Sequence, residues 1–302
     1  MGGVLITGGA GFVGSNLAGA LVASGVDVRV LDDFDSVPTD YLAGLKVRRT
    51  NANIEDAAAV RRAVKGADAV VHLAAMSGVA PSVEHPEKDF AVNVQGTFNV
   101  LDAVRMAGVG RVVFASSGAV LAGAKPPLHE AVVPSVLSPY GASKLYGEAV
   151  LQAFQEVYGF TGIVLRFSNV YGSNCDHKRS VVAEFLRRAL RRKPLVIYGN
   201  GRQTRDFLHV DDVCRAVRIS LRSPSSGVFQ LGTGVETSVA RLANLVQKAA
   251  GTKLEIERRP TRPGEAARNY VDPSKAKAVL RWEAKVALPD GLASTLAWMR
   301  DR

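Results

Sequence analysis

The sequence predicts an α/β fold: a doubly wound parallel sheet with a smaller α/β lobe toward the C-terminus. Three observations predict it. Short apolar, β-branched runs recur along the first half, amphipathic helical stretches separate them, and a glycine-rich turn joins the first run to the first helix. Runs that are apolar throughout belong to strands buried on both faces, as in a parallel sheet covered by helices.

Taken in order, the runs are Val4 to Thr7, Val28 to Leu31, Ala69 to Leu73, Val112 to Ala115 and Gly162 to Arg166. Between them lie the helical patterns Phe12 to Ser24, Asp56 to Lys65, Phe90 to Ala107 and Tyr140 to Tyr158. These define a first body over 1–170, with later segments returning to it. After Val170 the pattern loosens, and helices (Val181 to Arg192, Asp211 to Leu221, Val239 to Ala249) alternate with short strands around Val196, Val228 and Leu254. The stretch 171–302 therefore reads mainly as a substrate-binding lobe over the carboxyl ends of the strands, where ligands bind in such folds.

A chain of 302 residues, 47% hydrophobic and 22% charged, suffices for one large α/β domain or for that domain with a smaller lobe. No run reaches the eighteen or so apolar residues that a membrane span needs. Met1 to Thr7 enters a strand without the basic start of a signal peptide, so a soluble cytoplasmic protein is expected. Cys175 and Cys214 are far apart and have no metal-ligand spacing, so neither a disulfide framework nor a metal site is expected. The formal charge is +10. Its densest cluster, Arg187, Arg188, Arg191, Arg192 and Lys193, is interleaved with Phe185, Leu186, Ala189 and Leu190 and reads as a solvated helix face. No nucleic-acid motif accompanies it, and the overall field suits an anionic small substrate.

The turn Thr7-Gly8-Gly9-Ala10-Gly11-Phe12-Val13-Gly14 follows an apolar strand and opens a helix, and Gly9, Gly11 and Gly14 satisfy G-x-G-x-x-G. Such glycines permit a tight turn, close approach of a diphosphate and close packing of helix on strand, and the helix N-terminus offers free N–H groups. A second strand ends at Asp32, eighteen residues after Gly14, at the distance expected for a carboxylate that accepts from ribose hydroxyls. The sheet is therefore Rossmann-type. Asp33 and Asp35 follow Asp32 and would repel a 2′-phosphate, which favours NAD over NADP.

Tyr140 and Lys144 stand one helical turn apart on one face. A phenol titrates near 10, and a neighbouring ammonium favours its ionised form, so Tyr140 would take a proton from a substrate hydroxyl. Ser116 and Ser117 end the strand Val112 to Ala115, where a hydroxyl can share the proton of the reacting oxygen.

With these motifs in place, the sequence resembles the extended short-chain dehydrogenase/reductases, specifically the NAD-dependent sugar-nucleotide epimerases and dehydratases. The resemblance spans nearly the whole chain. It includes Val71-His72-Leu73-Ala74-Ala75, Asn93-Val94-Gln95-Gly96-Thr97, Leu165-Arg166-Phe167-Ser168-Asn169-Val170-Tyr171-Gly172, Gly201-Arg202-Gln203-Thr204-Arg205-Asp206-Phe207 and Arg262-Pro263-Gly264-Glu265. It implies that Gly8, Gly11, Phe12, Val13 and Gly14 hold the diphosphate of NAD and that Asp32 holds the ribose. Asn53 and Ile54 would lie against the adenine, and Leu73, Ala74, Ala75, Asn93 and Ser116 would line or orient the cofactor. Ser117, Tyr140 and Lys144 would be catalytic, the last two also touching the cofactor. Ser77, Val79, Ser117 and Asn269 would meet the sugar end of a UDP-sugar, and Asn169 would contact its diphosphate. Val196 and Tyr198 would flank the base, and Arg205 and Arg262 would clamp the phosphates. A homodimer is implied through the helices Phe90 to Ala107 and Tyr140 to Tyr158.

The chain departs from the family pattern in three places. Dehydratases and decarboxylating relatives carry an acid soon after the catalytic serine or threonine, whereas Ser117 is followed by Gly118-Ala119-Val120, which favours simple C4 epimerisation. Leu121-Ala122 stands where Tyr-Gly is usual, and Glu265 replaces an aspartate. A reductase or dehydratase is the alternative enzymatic reading, and a non-catalytic NAD-binding protein is the alternative outside catalysis. The sugar stays open between hexose, N-acetylhexosamine and hexuronic acid. Asn269 is small where relatives often carry tyrosine, and His177, Lys178 and Arg179 form a basic trio suited to a uronate.

Overall fold

The structure, a computed structural model, describes residues 3–35, 37–261 and 266–302. In chain order its first half contains β1 (Val4–Thr7), α1 (Phe12–Val22), β2 (Val28–Asp32), β3 (Val47–Asn51), α2 (Ala57–Val64), β4 (Ala69–His72), α3 (Val79–Glu84), α4 (Pro86–Asp89), α5 (Thr97–Ala107), β5 (Arg111–Ser117), α6 (Pro139–Tyr158) and β6 (Thr161–Phe167). The second half contains β7 (Asn169–Tyr171), α7 (Val181–Leu190), β8 (Leu195–Tyr198), β9 (Thr204–Arg205), β10 (Phe207–His209), α8 (Val210–Ser220), β11 (Gly227–Leu231), β12 (Thr237–Ser238), α9 (Val239–Ala250), β13 (Ile256–Arg259), β14 (Arg268–Asn269), α10 (Ser274–Leu280) and α11 (Leu288–Arg300).

Seven parallel strands form the main sheet in the order β3-β2-β1-β4-β5-β6-β11. Alternation along each strand divides its side chains between two cores. Val4, Ile6, Val71, Val113, Ile163 and Leu165 join the core under α1, α7, α8, α9 and α11. Leu5, Val70, Val112, Phe114 and Val164 join the core under α2, α5 and α6. Burial on both faces is why these strands carry no alternation in sequence. Phe114 shows how closely the layers meet, since a Cβ on Gly147 of α6 would lie 2.4 Å from its ring.

The structure departs from the sequence expectation at several elements. The strand around Val228 is β11, which closes the main sheet beside β6 and so belongs to the first body. The strand expected around Leu254 begins two residues later, as β13 beside β8. β3, Val-Arg-Arg-Thr-Asn, was not expected: it is the outer strand of the sheet and mostly exposed, so polar residues suffice. The helix expected over Phe90 to Ala107 opens with a π-helical turn over Phe90–Gly96, an irregularity that often marks functional sites. In the second half, β9 sits between β12 and β14, and β10 pairs with β7. No helix among the described residues is long and apolar enough to cross a membrane.

Candidate active site

β1 lies between β2 and β4, so the chain winds away in opposite directions on its two sides and leaves a crevice at the carboxyl ends. The glycine turn fills the floor of that crevice. Gly8 has φ +68°, and a Cβ on it would lie 2.6 Å from the Ala74 nitrogen, so the turn and the end of β4 all but touch. A Cβ on Gly14 would meet the Gly8 carbonyl at 2.2 Å, so only glycine lets α1 pack this closely. Gly11 caps α1 without a side-chain hydrogen bond, and a Cβ there would meet only the Gly8 oxygen, at 3.3 Å. An uncapped helix N-terminus behind an open glycine face fits a dinucleotide diphosphate. Phe12 is buried and Val13 half-buried in this first turn.

Asp32 ends β2 with its Oδ2 accepting from the Ala10 N–H at 2.9 Å and its Oδ1 from the Phe34 N–H at 3.0 Å. Burial pushes this carboxyl above its ordinary range while the two N–H groups pull it back. Each oxygen keeps a lone pair for a ribose hydroxyl. A cleft of about 300 Å3 adjoins, lined by Ala10, Phe34, Val37, Thr39, Asp40 and Arg49. Arg49, brought in by the unexpected β3, is neutralised by Asp40 at 2.8 Å. Asn53 forms a turn by accepting from the Glu55 N–H at 3.0 Å. Ile54 is buried against Gly96 and held by Asn99, which donates to its carbonyl at 3.0 Å. Leu73, Ala74 and Ala75 continue β4 half-buried, and Thr7 accepts from the first two.

Asn93, expected to orient the cofactor, is held by the protein's own groups. Its side chain is spent on the protein: Oδ1 accepts from Met76 N at 2.9 Å, while Nδ2 donates to Met76 O at 3.0 Å and Asp89 at 2.7 Å. It fixes the wall after β4. Ser116 is held likewise. Strand alternation turns it toward α6 with Val112 and Phe114, and its hydroxyl donates to the buried Glu148. Glu148 in turn takes a bidentate pair from Arg166, at 2.8 and 2.6 Å.

Ser117 turns the other way, out of the carboxyl edge of the sheet. Its hydroxyl accepts from the Ala119 N–H at 3.1 Å and stands near enough to the Tyr140 phenol to favour its ionised form. Ser138 caps α6 through the Gly141 N–H at 3.1 Å, Pro139 starts it, and the buried Ser82 accepts from the Tyr140 N–H at 3.1 Å. These contacts fix the base of Tyr140 from two sides. Lys144 stands one turn on, its ammonium donating to the Ala115 carbonyl at 2.9 Å and lying 5.8 Å from the Tyr140 ring centroid. Burial pushes the Tyr140 phenol up to about 12, Ser117 pulling it down and Asp89 raising it further. Burial likewise brings Lys144 down to about 8, against Asp89 and Glu148. The expected lowering of the phenol by the ammonium is thus outweighed, among the protein's own groups, by burial. The constellation suits a proton acceptor that ionises only as the reacting hydroxyl arrives.

In the second half, β9 and β14 place Arg205 opposite Asn269. The Asn269 carboxamide lies within 4.0 Å of where a Cβ on Gly118 would stand, which sets it beside Ser117. The Arg205 Nη1 donates to the Thr204 and Ala266 carbonyls at 2.8 Å each. Asp206 braces this corner, accepting from the Thr233 and Gly234 N–H groups at 2.8 and 2.9 Å. Arg262 and Glu265 lie outside the described residues. Val196 is buried in β8, and Tyr198 ends that strand half-buried, its carbonyl accepting from Gln203 at 2.7 Å. Asn169 begins β7, half-buried, while Ser77 and Val79 are exposed at the loop into α3.

The basic trio does not converge. Lys178 donates to Ser77 at 2.8 Å, His177 lies against Tyr41 with ring centroids 5.9 Å apart, and Arg179 is exposed. In the arginine-rich helix, Arg187 and Arg188 both pair with Glu184, at 2.7 and 2.6 Å, instead of standing free as a solvated face. Asp89, Glu148, Arg166 and Ser82 were missed in the sequence. Glu148 carried a signal, since Gly141, Lys144, Glu148 and Leu151 recur at helical spacing on the buried face of α6.

The sequence model of the NAD dependent epimerase/dehydratase family matches residues 4–232. A UDP-glucose 4-epimerase of Mycolicibacterium smegmatis is 37% identical over 99% of this chain and 98% of its own length. A UDP-glucuronate 4-epimerase of Thermodesulfobacterium geofontis is 31% identical over 100% of this chain and 97% of its own length. Among solved structures, the Thermus thermophilus UDP-glucose 4-epimerase in complex with NAD superposes with a TM-score of 0.92 at 34% identity, covering 99% of each chain.

Proposed function

The chain belongs to the NAD dependent epimerase/dehydratase family, and from that premise we propose that it is a C4 epimerase of a UDP-sugar. The observation that carries this reading is the Tyr140 phenol, standing beside Ser117 at the carboxyl edge of the sheet with the Lys144 ammonium 5.8 Å from its ring. NAD, when bound, supplies a hydride acceptor and donor at its nicotinamide ring. Tyr140 takes the proton of the C4 hydroxyl, with Ser117 holding the same oxygen. The resulting 4-keto sugar turns over and is reduced on its other face, and Tyr140 returns the proton. Arg205 and Arg262 hold the diphosphate while the sugar turns.

Gly118 supports epimerisation over dehydration. The position after Ser117 opens toward Asn269 and the Phe167 carbonyl, and these, not a carboxylate, are its nearest neighbours among the described residues. The small Asn269 leaves N-acetylhexosamines and hexuronic acids as substrates beside plain hexoses. The purified protein is incubated with UDP-glucose, UDP-N-acetylglucosamine and UDP-glucuronate, and epimers are separated. One of these pairs interconverts without added cofactor, and Tyr140→Phe lowers that kcat by about 10²–10⁴-fold. Interconversion by Tyr140→Phe at the wild-type rate would overturn the mechanism. Net accumulation of reduced cofactor would favour a reductase.

The same reading includes a homodimer. Phe90, Phe98, Met106, Val157 and Tyr158 are exposed on the π-turn, α5 and α6, and Phe98 meets Phe154 of the neighbouring helix edge-to-face, with centroids 6.1 Å apart. A contiguous apolar face of this kind suits an isologous contact with a second copy. Light scattering should give twice the mass of the chain, and Phe98→Glu should return it to the monomer; a wild-type monomer would remove the proposal.

A further inference from the structure

Lys178 is anchored with unusual care for a loop lysine. Its loop is stapled to the first turns of α1, where Asn16 donates to the Ser173 carbonyl at 2.9 Å and Asn174 donates to Ser15 at 2.9 Å. Its own backbone is held by the Cys175 carbonyl, which accepts from its N–H at 2.9 Å, and by Arg187, which donates to its carbonyl at 2.7 Å. From there the side chain crosses to the loop leaving β4 and donates to Ser77 at 2.8 Å. That loop is itself rigid, because Asn93 grips the preceding Met76 through both its N–H and its carbonyl.

The ammonium therefore bridges the α1 side and the β4 side of the crevice between β1 and β4. It is half-buried, and burial lowers its proton affinity. Among the described residues its hydrogen-bond partner is a neutral hydroxyl, not a carboxylate. A partly desolvated cation held on a neutral oxygen keeps its attraction for an anion. The anion that reaches this crevice is the ligand lying on the α1 N-terminus.

We propose that Lys178, positioned by Ser77, forms a strap across the cofactor crevice whose ammonium binds the diphosphate of the dinucleotide from the side opposite the glycine turn. The inference rests on the cofactor site described above and not on the identity of the sugar. The strap opposes departure of the cofactor, as suits an enzyme that reuses one dinucleotide over many turnovers. A uronate carboxylate is the other anion the ammonium could meet, and the experiment separates the two.

Wild type, Lys178→Met, Lys178→Arg and Ser77→Ala are stripped of nucleotide, and binding of NAD, ADP-ribose and adenosine is measured by calorimetry at two salt concentrations. Lys178→Met should weaken NAD and ADP-ribose alike by about 10- to 100-fold, leave adenosine unchanged, and reduce the salt dependence. Lys178→Arg should retain most of the affinity, and Ser77→Ala should lose a few-fold. Unchanged NAD affinity in Lys178→Met would overturn the proposal. So would a loss confined to the KM for a UDP-uronate, which would assign the ammonium to the sugar. Melting curves and adenosine binding establish that each variant is folded.

Discussion

Lys144 and Glu148 stand one turn apart on α6, both buried against β5, yet they are satisfied to very different degrees. The Glu148 carboxylate takes two hydrogen bonds from Arg166 and one from Ser116, so its charge is matched and most of its lone pairs are occupied. The Lys144 ammonium has one carbonyl, Ala115 O, and the face of the Phe114 ring at 5.0 Å. Burial moves the ammonium down to about 8. A matched buried charge fixes structure, whereas an under-matched one stays available to a ligand. The same distinction separates Arg49, neutralised by Asp40, from Lys178, which rests on a hydroxyl.

The sharpest way to break this comparison is to unmatch the matched pair. Glu148→Ala leaves Arg166 buried without its counter-charge, and Arg166 already has one nitrogen, Nη1, that lacks a partner among the described residues. Such a loss typically destabilises by about 3–5 kcal/mol. Denaturant unfolding should show it as a lower midpoint at constant slope. A change under about 1 kcal/mol would mean that the pair contributes little.

Lys144→Met should do the reverse. It removes a buried, under-matched ammonium, so stability at pH 7 holds or rises while turnover collapses. A shift from the ordinary 10.5 to about 8 corresponds to roughly 3 kcal/mol at about 1.4 kcal/mol per unit, an upper bound on the gain. The pH dependence carries the sign. Between about 8 and 10.5 the unfolded lysine binds a proton that the folded one does not, so this group makes wild-type stability rise with pH through that window. Below about 8 that contribution is absent. Unfolding free energies of the cofactor-stripped protein from pH 7 to 10.5 should therefore climb more steeply in wild type than in Lys144→Met. Parallel slopes would place the ammonium in water.

The contrast between matched and under-matched groups also marks what the sequence could tell. The strands β1, β2, β4, β5 and β6 were legible because two buried faces leave an unbroken apolar run. The glycine turn and the Tyr140–Lys144 spacing were legible because local geometry demands particular residues at fixed intervals. β3 was not, since an edge strand reading Val-Arg-Arg-Thr-Asn needs no apolar pattern. β9 and β14 were invisible as strands because each spans two residues and exists only through pairing between distant segments. For the site, motif spacing located Ser117 and Tyr140 but not the division of labour around them. Only long-range contacts show that Asn93 grips Met76 and that Lys178 separates from His177. Local spacing reports what a helix or turn requires of itself, and says little about which distant group satisfies a polar side chain.

The smallest effect, and the finest test of the comparison, lies in two adjacent serines. Ser116 and Ser117 end the same strand and face opposite ways, the first to the matched pair and the second to Tyr140 and the proposed reacting centre. Ser116→Ala removes one donor from a buried carboxylate that keeps its bidentate arginine. The loss of a hydrogen bond to a charged group corresponds to about 1.5–3 kcal/mol of stability, with turnover close to wild type. Ser117→Ala should change stability by less, since its hydroxyl caps a short turn at the sheet edge. It should instead lower kcat, because the Tyr140 phenol loses the neighbouring hydroxyl that opposes the effect of burial and the reacting oxygen loses a partner. Paired measurements of unfolding midpoint and kcat on the two variants read this exchange directly. If Ser116→Ala lowers kcat as far as Ser117→Ala does, the Glu148–Arg166 pair belongs to the catalytic machinery, and the division along α6 fails.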